Sequence, residues 1–194
     1  MIDTSGHHIV YGTLRDTLTG EELPDTDDER IRQQLTRWLL AEKGYLPGDL
    51  TPRLAIVTEV NGQRVSSLIE LTVALEGQRL LIIRYGPGSL VTRERPAIAA
   101  ARLLAPEYRI PLAVVTNGRD AELLDTRNGS VLATGMAAIP DRETLAAMAS
   151  QQVFEPFAGP EKRDREARIL NAFDVEVCCH GAKCALPPGG TDPK

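Results

Sequence analysis

The chain has 194 residues, with 22 Lys and Arg against 27 Asp and Glu, a net charge of −5 and a pI near 5.3. Hydrophobic residues at 42% and charged residues at 25% describe a chain that can bury a core, which excludes a disordered tail. Aromatic residues at 4% argue against a platform of stacked rings for single-stranded nucleic acid, and the negative charge means that only a local basic patch could hold nucleic acid.

This length suits one domain, or one domain with a small appendage. The longest apolar runs are too short to span a bilayer, and the N-terminus lacks the basic-then-apolar layout of a secretory signal. The expectation is a cytoplasmic protein without a membrane partner. Composition divides the chain into an N-terminal strand with an acidic loop (1–25), an α/β domain (26–135), and a helical extension that ends in a Cys-containing tail (136–194).

The first zone has one strand-like run, His8–Leu14. Thr26-Asp27-Asp28-Glu29 then fits a capping box, with acids where the helix dipole favours them. Ile31, Leu35, Trp38 and Leu39 fall on one helical face, and Gly44 is a natural stop. Three strand-like runs follow: Leu54–Val60, closed by Asn61-Gly62; Val65–Leu75; and Leu80–Tyr85, apolar enough to be buried on both faces and broken by Gly86-Pro87-Gly88. A helix is predicted over Arg93–Leu104, with Pro96 tolerable only in its first turn. Leu112–Thr116 reads as a further central strand, and Ala121–Asp125 with Val131–Thr134 as a hairpin around Asn128-Gly129. Two helices are predicted near the end, Asp141–Gln151 and Glu161–Ala172, the second heavily charged on one side. The order is αβββαβ, then a hairpin and helices, which indicates a mixed sheet with helices on its faces.

That order, with its local motifs, resembles a known family. Asp28-Glu29-Arg30-Ile31-Arg32-Gln33, then Gly44-Tyr45-Leu46-Pro47, then Val114-Val115-Thr116-Asn117-Gly118 resemble in sequence and spacing the N-terminal domain of type I restriction enzyme R subunits, of the PD-(D/E)XK nuclease class. The resemblance runs from Thr26 to Gly135 and implies a restriction-endonuclease-like three-layer α/β core with C-terminal helices. It also implies a metal site: an acid on the second core strand and a Glu-x-Lys on the third, the acids holding a divalent ion and the lysine positioning water. Here Ser66-Ser67 stands where the first acid is expected, Arg84 where the second should be, and Gly86 where the lysine should be. Glu29, matching the helix acid, is the surviving catalytic candidate. Glu70 is a weaker one, because three strand residues past Ser67 should point it to the other side of the sheet.

What remains is positive charge. Gln78–Gly118 carries six arginines against two glutamates, while Leu14–Arg30 carries seven acids and two arginines, net −5. Arg84, Arg93, Arg95 and Ser89, around a glycine-containing turn that feeds a helix N-terminus, could bind nucleic-acid phosphate. The alternative is that the arginines pair with the acidic stretch and leave no ligand site. Arg84, in an apolar strand, needs a partner in either case, and Glu29 is the expected one.

The three cysteines all lie in the tail. Cys178, Cys179, His180 and Cys184 could hold zinc or contribute to an iron–sulfur cluster, although adjacent cysteines suit one ion poorly and a cluster needs four. The composite expectation is a stand-alone nuclease-like domain with a decayed metal site that binds DNA without cutting it. The alternatives are an active Mg²⁺-dependent endonuclease with a rearranged site, or a scaffold for another protein with a metal-binding tail.

Overall fold

In a computed structural model, the chain is described over residues 9–60 and 63–173. Two short strands, β1 (Thr13–Arg15) and β2 (Glu22–Pro24), form a small antiparallel sheet. Helix α1 (Asp27–Glu42) leads through a 3₁₀ turn into β3 (Leu50–Val60), β4 (Gln63–Leu75) and β5 (Gln78–Tyr85). Helix α2 (Val91–Leu103) crosses to β6 (Leu112–Thr116). Strands β7 (Ala121–Asp125) and β8 (Val131–Thr134) follow, then α3 (Arg142–Ala149) and α4 (Pro160–Phe173).

The main sheet has six strands in sequence order, β3 to β8. All neighbours are antiparallel except β5 and β6, which run parallel because α2 carries the chain back between them. Side chains alternate across the sheet into two cores. Ile82, Ala113, Val115 and Leu124 pack with Ile98 of α2 and Leu170 of α4. Leu81, Ile83, Val114 and Leu123 pack with Leu35 and Leu39 of α1 and Leu145 of α3. The result is a three-layer α/β core, as the element order implied.

Several local expectations need correction. The first strand begins at Thr13, with residues 9–12 outside it and His8 outside the described residues, and it pairs with a strand at Glu22–Pro24 that the sequence did not suggest. The third strand begins at Leu50 and tolerates Pro52 because it is an edge strand. Helix α2 begins at Val91, so Pro96 lies beyond its first turn. The capping box is only half formed. Thr26 Oγ1 accepts from the Glu29 N–H at 3.2 Å, but the Glu29 carboxylate turns to Arg32 and Gln33 instead of the cap.

That diversion belongs to a buried polar network. Arg32 (3% exposed) and Gln33 (2%) lie on the inner side of α1 and meet Asp16 (2%) of the N-terminal hairpin. Arg32 bonds both Asp16 and Glu29, Gln33 Nε2 donates to Glu29 at 2.8 Å, and the Leu18 and Thr19 N–H groups donate to Asp16 at 2.8 and 2.9 Å. Burial pushes the Asp16 carboxyl up, but the Arg32 bond and the two backbone donors outweigh it and hold the acid well below the usual carboxylate range.

Candidate functional site

The candidate site lies at the C-terminal ends of β5 and β6, on the α2 side. Arg84 stands two residues beyond Ile82 and therefore shares its face. Its Nε lies 3.3 Å from Glu70 Oε2. This pairing follows from the sheet register: Leu71 faces Ile83, so one step further sets Glu70 opposite Arg84.

Glu70 therefore does not point away, as simple alternation predicted. Alternation changes phase at this step in both strands of the hairpin. Ile69 packs toward α2 and Leu71 toward α1, and on β3 Ile56 packs toward α2 while Leu50 packs toward α1. Arg53, opposite Glu70, has φ +53, a left-handed conformation that breaks the pleat. The second-strand acid of this site is thus Glu70. Ser67, 1% exposed with no partner for its Oγ among the described residues, lies three residues away along the strand.

Gly86 is buried, and its N–H donates to Thr116 O at 3.0 Å, which ties the end of β5 to β6. A Cβ built on Gly86 would overlap the guanidinium of Arg93. The space where a side chain at 86 would project is therefore filled by a cation from the first turn of α2. Arg93 donates to Pro87 O at 3.3 Å and has no carboxylate partner among the described residues. Asn117 closes the other side, its Nδ2 donating to Gly88 O at 3.2 Å. The next residue, Gly118, has φ +84, and a Cβ there would press Ile31 of α1 at 3.2 Å, so both backbone and space require glycine. No side chain caps α2 at Leu90, which leaves its first-turn N–H groups without a side-chain acceptor.

The other sequence candidates have different surroundings. Glu29 is engaged by Arg32 and Gln33, and Arg84 meets Glu70 instead of the expected Glu29. Arg95 turns to α4, its Nη2 3.2 Å from both carboxylate oxygens of Glu166, which also accepts from Arg102 Nη1 at 2.8 Å. Ser89 is exposed, and its carbonyl accepts from Thr92 Oγ1 at 3.1 Å. Cys178, Cys179, His180 and Cys184 lie outside the described residues. Within the acidic stretch, Asp16 takes Arg32, Asp25 takes Arg30, and Glu21 takes Arg53, while Asp28 and Asp27 add to the burial that pushes up the hydroxyl of Tyr85, next to Arg84.

The sequence reading missed one feature on this face. Glu122 of β7 lies opposite Val115, close to Glu94 of α2. Its Oε2 is buried without a hydrogen-bond partner among the described residues, and burial first, then Glu94, pushes its carboxyl up. The available signal was a charged residue between inward-facing neighbours in a short strand.

These residues are a poor match for a divalent metal. Hard cations need several oxygen ligands. Here Glu70 is already neutralised by Arg84, with Arg93 beside the same strand end. Among the described residues, no three His, Cys, Asp or Glu side chains group so as to hold a metal ion. Arginine forks and the N-terminal end of a helix instead suit an oxyanion. No helix among the described residues is long and apolar enough to cross a membrane.

One family model, described as the type I restriction enzyme R protein N terminus, matches residues 27–140. No curated protein and no solved structure matches the chain significantly.

Proposed function

This chain belongs to the type I restriction enzyme R protein N-terminal family, and from that premise we propose that it is a nucleic-acid-binding domain whose metal-dependent nuclease site has decayed. The observation that carries the reading is the Arg93 guanidinium seated in the side-chain space of Gly86. In the PD-(D/E)XK pattern a lysine belongs at that strand position, and here a cation from the neighbouring helix takes its place. Arg84 stands where the pattern has a metal-binding acid, and it is held by Glu70. The site thus carries built-in cations in place of a metal. It binds the phosphodiester backbone through Arg93 and the first turn of α2, and its third core strand carries Arg84 in place of the acid that would join Glu70 in holding a metal and positioning an attacking water.

Gel-shift and cleavage assays on duplex DNA, each with Mg²⁺ and with EDTA, test this. The expected result is binding that survives EDTA, without cleavage. Mg²⁺-dependent cleavage abolished by Glu29→Ala or Glu70→Ala would instead support an active enzyme with a rearranged site. No binding to DNA or RNA would leave a scaffold for another protein.

A further inference from the structure

We propose a second phosphate-binding site at the opposite end of α2, formed by Arg109, Arg127 and Arg102; its nucleic-acid role rests on the reading above, but its chemistry does not. The three arginines come from separate segments: the end of α2, the loop before β6, and the turn between β7 and β8. Thr126, fully buried, locks two of these segments together. Its N–H donates to Pro111 O at 3.0 Å, and its Oγ1 donates to Ile110 O and Pro111 O at 2.5 and 2.9 Å. Arg109 and Arg127 directly flank this knot. Arg102 fastens the third side, Nε donating to Thr126 O at 2.8 Å and Nη2 to Arg127 O at 3.2 Å.

Arg102 has a counter-charge in Glu166, at 2.8 Å. Arg109 has none within ion-pair distance among the described residues, and its buried Nε has no hydrogen-bond partner. Burial disfavours its charge; Asp125 and, more weakly, Glu155 oppose that effect, and Arg102 and Arg127 add to it. Its backbone cannot easily withdraw, because the Arg109 N–H is bonded to Glu155 O at 2.9 Å and the Ile110 N–H to Ala101 O at 3.1 Å. A guanidinium held partly buried beside two others, with its Nε unused, needs an oxyanion to complete it. Arg93 and Arg102 are nine residues apart on one helix, about 14 Å at 1.5 Å per residue. Nine residues at about 3.6 per turn also set them half a turn apart, so the two sites face different sides of α2, and titration with duplex tests whether one nucleic acid reaches both.

The test is ¹⁵N NMR of the arginine Nε–Hε groups in the full chain, titrated separately with inorganic pyrophosphate and with a short DNA duplex. The Arg109 Nε–Hε signal is expected to shift saturably with pyrophosphate. Arg127→Gln, an exposed change that leaves the Thr126 knot intact, should weaken that response about tenfold, and Arg109→Gln should abolish it. With duplex, Arg127→Gln should lower the salt slope of binding by about one unit. An Arg109 signal unmoved by both ligands overturns the proposal. Duplex binding that depends on Arg93 but ignores Arg109→Gln and Arg127→Gln also overturns it, and leaves the main reading standing. A pyrophosphate response without duplex binding supports the site, assigns it to free phosphate compounds, and overturns the nucleic-acid reading alone.

Discussion

The guanidinium of Arg93 occupies the volume that a side chain on Gly86 would need. The two residues are therefore linked: glycine at 86 is what lets the arginine of α2 lie across the end of β5. Gly86 does not have a left-handed backbone, and the atoms nearest to an alanine Cβ there all belong to the movable end of Arg93. Gly86→Ala should therefore cost less than about 1 kcal/mol of stability, within the range of ordinary substitutions. It should nevertheless weaken DNA binding by pushing the guanidinium out of place. Parallel urea melts and gel shifts check this. A large loss of stability, or unchanged binding, would show that the two residues are not linked in this way.

The Glu70–Arg84 pair gives a second expectation. Both side chains are partly buried, at 22% and 13% exposed, so removing one takes a charge-balancing neighbour from the other. Arg84→Ala should destabilise the fold by about 1–3 kcal/mol, and the double change Arg84→Ala with Glu70→Ala should recover part of the loss. A double-mutant cycle in urea measures the coupling. Additive losses would mean that the pair contributes nothing to stability.

Glu166 holds α4 against α2 through Arg95 and Arg102, and it is 5% exposed. Glu166→Ala leaves Arg102, itself largely buried, without its counter-ion. The expected cost is about 3 kcal/mol, as for breaking a buried pair from one side. Chemical denaturation reads this directly, and a cost below about 1 kcal/mol would place the cluster with ordinary surface ion pairs.

Two carboxyls give opposite pH dependences. Asp16 is held below its unfolded range, so its contribution is complete above about pH 4 and is lost as pH falls toward the folded value. Glu122 is pushed up, so its contribution is complete at low pH and is lost as pH rises from the unfolded value through the folded one. Glu122→Gln should therefore raise the melting temperature at pH 7, with the gain shrinking toward pH 4. Asp16→Asn should lower it at pH 7, with the loss shrinking in acid. Thermal melts across this range test both, and parallel curves for either variant would contradict the assignment.

Local pattern made the layers legible. The apolar run Leu80–Tyr85 and the Leu35–Leu39 stripe of α1 depend on neighbours a few residues away, so periodicity reveals them. The site was only half legible. Arg84, Gly86 and Arg93 could be named from the chain, but the partner of Arg84 could not. That partner depends on Arg53, an ordinary residue in a left-handed conformation that shifts the phase of two strands. No residue type announces such a kink as glycine would. The polar network of Asp16, Arg32 and Gln33 stayed hidden for a related reason, because its members are 16 and 17 residues apart and read singly as solvated charges. Arg95 and Glu166, 71 residues apart, and Arg142 and Asp49, 93 apart, are more distant cases.

The most direct test of the decayed-site reading is the salt dependence of duplex DNA binding, measured for the natural chain and for Arg93→Ala in Mg²⁺ and in EDTA. The account predicts that Arg93→Ala weakens binding and lowers the slope of log K against log salt by about one unit, equally with and without Mg²⁺. An unchanged slope in Arg93→Ala, or binding that appears only with Mg²⁺, would contradict it.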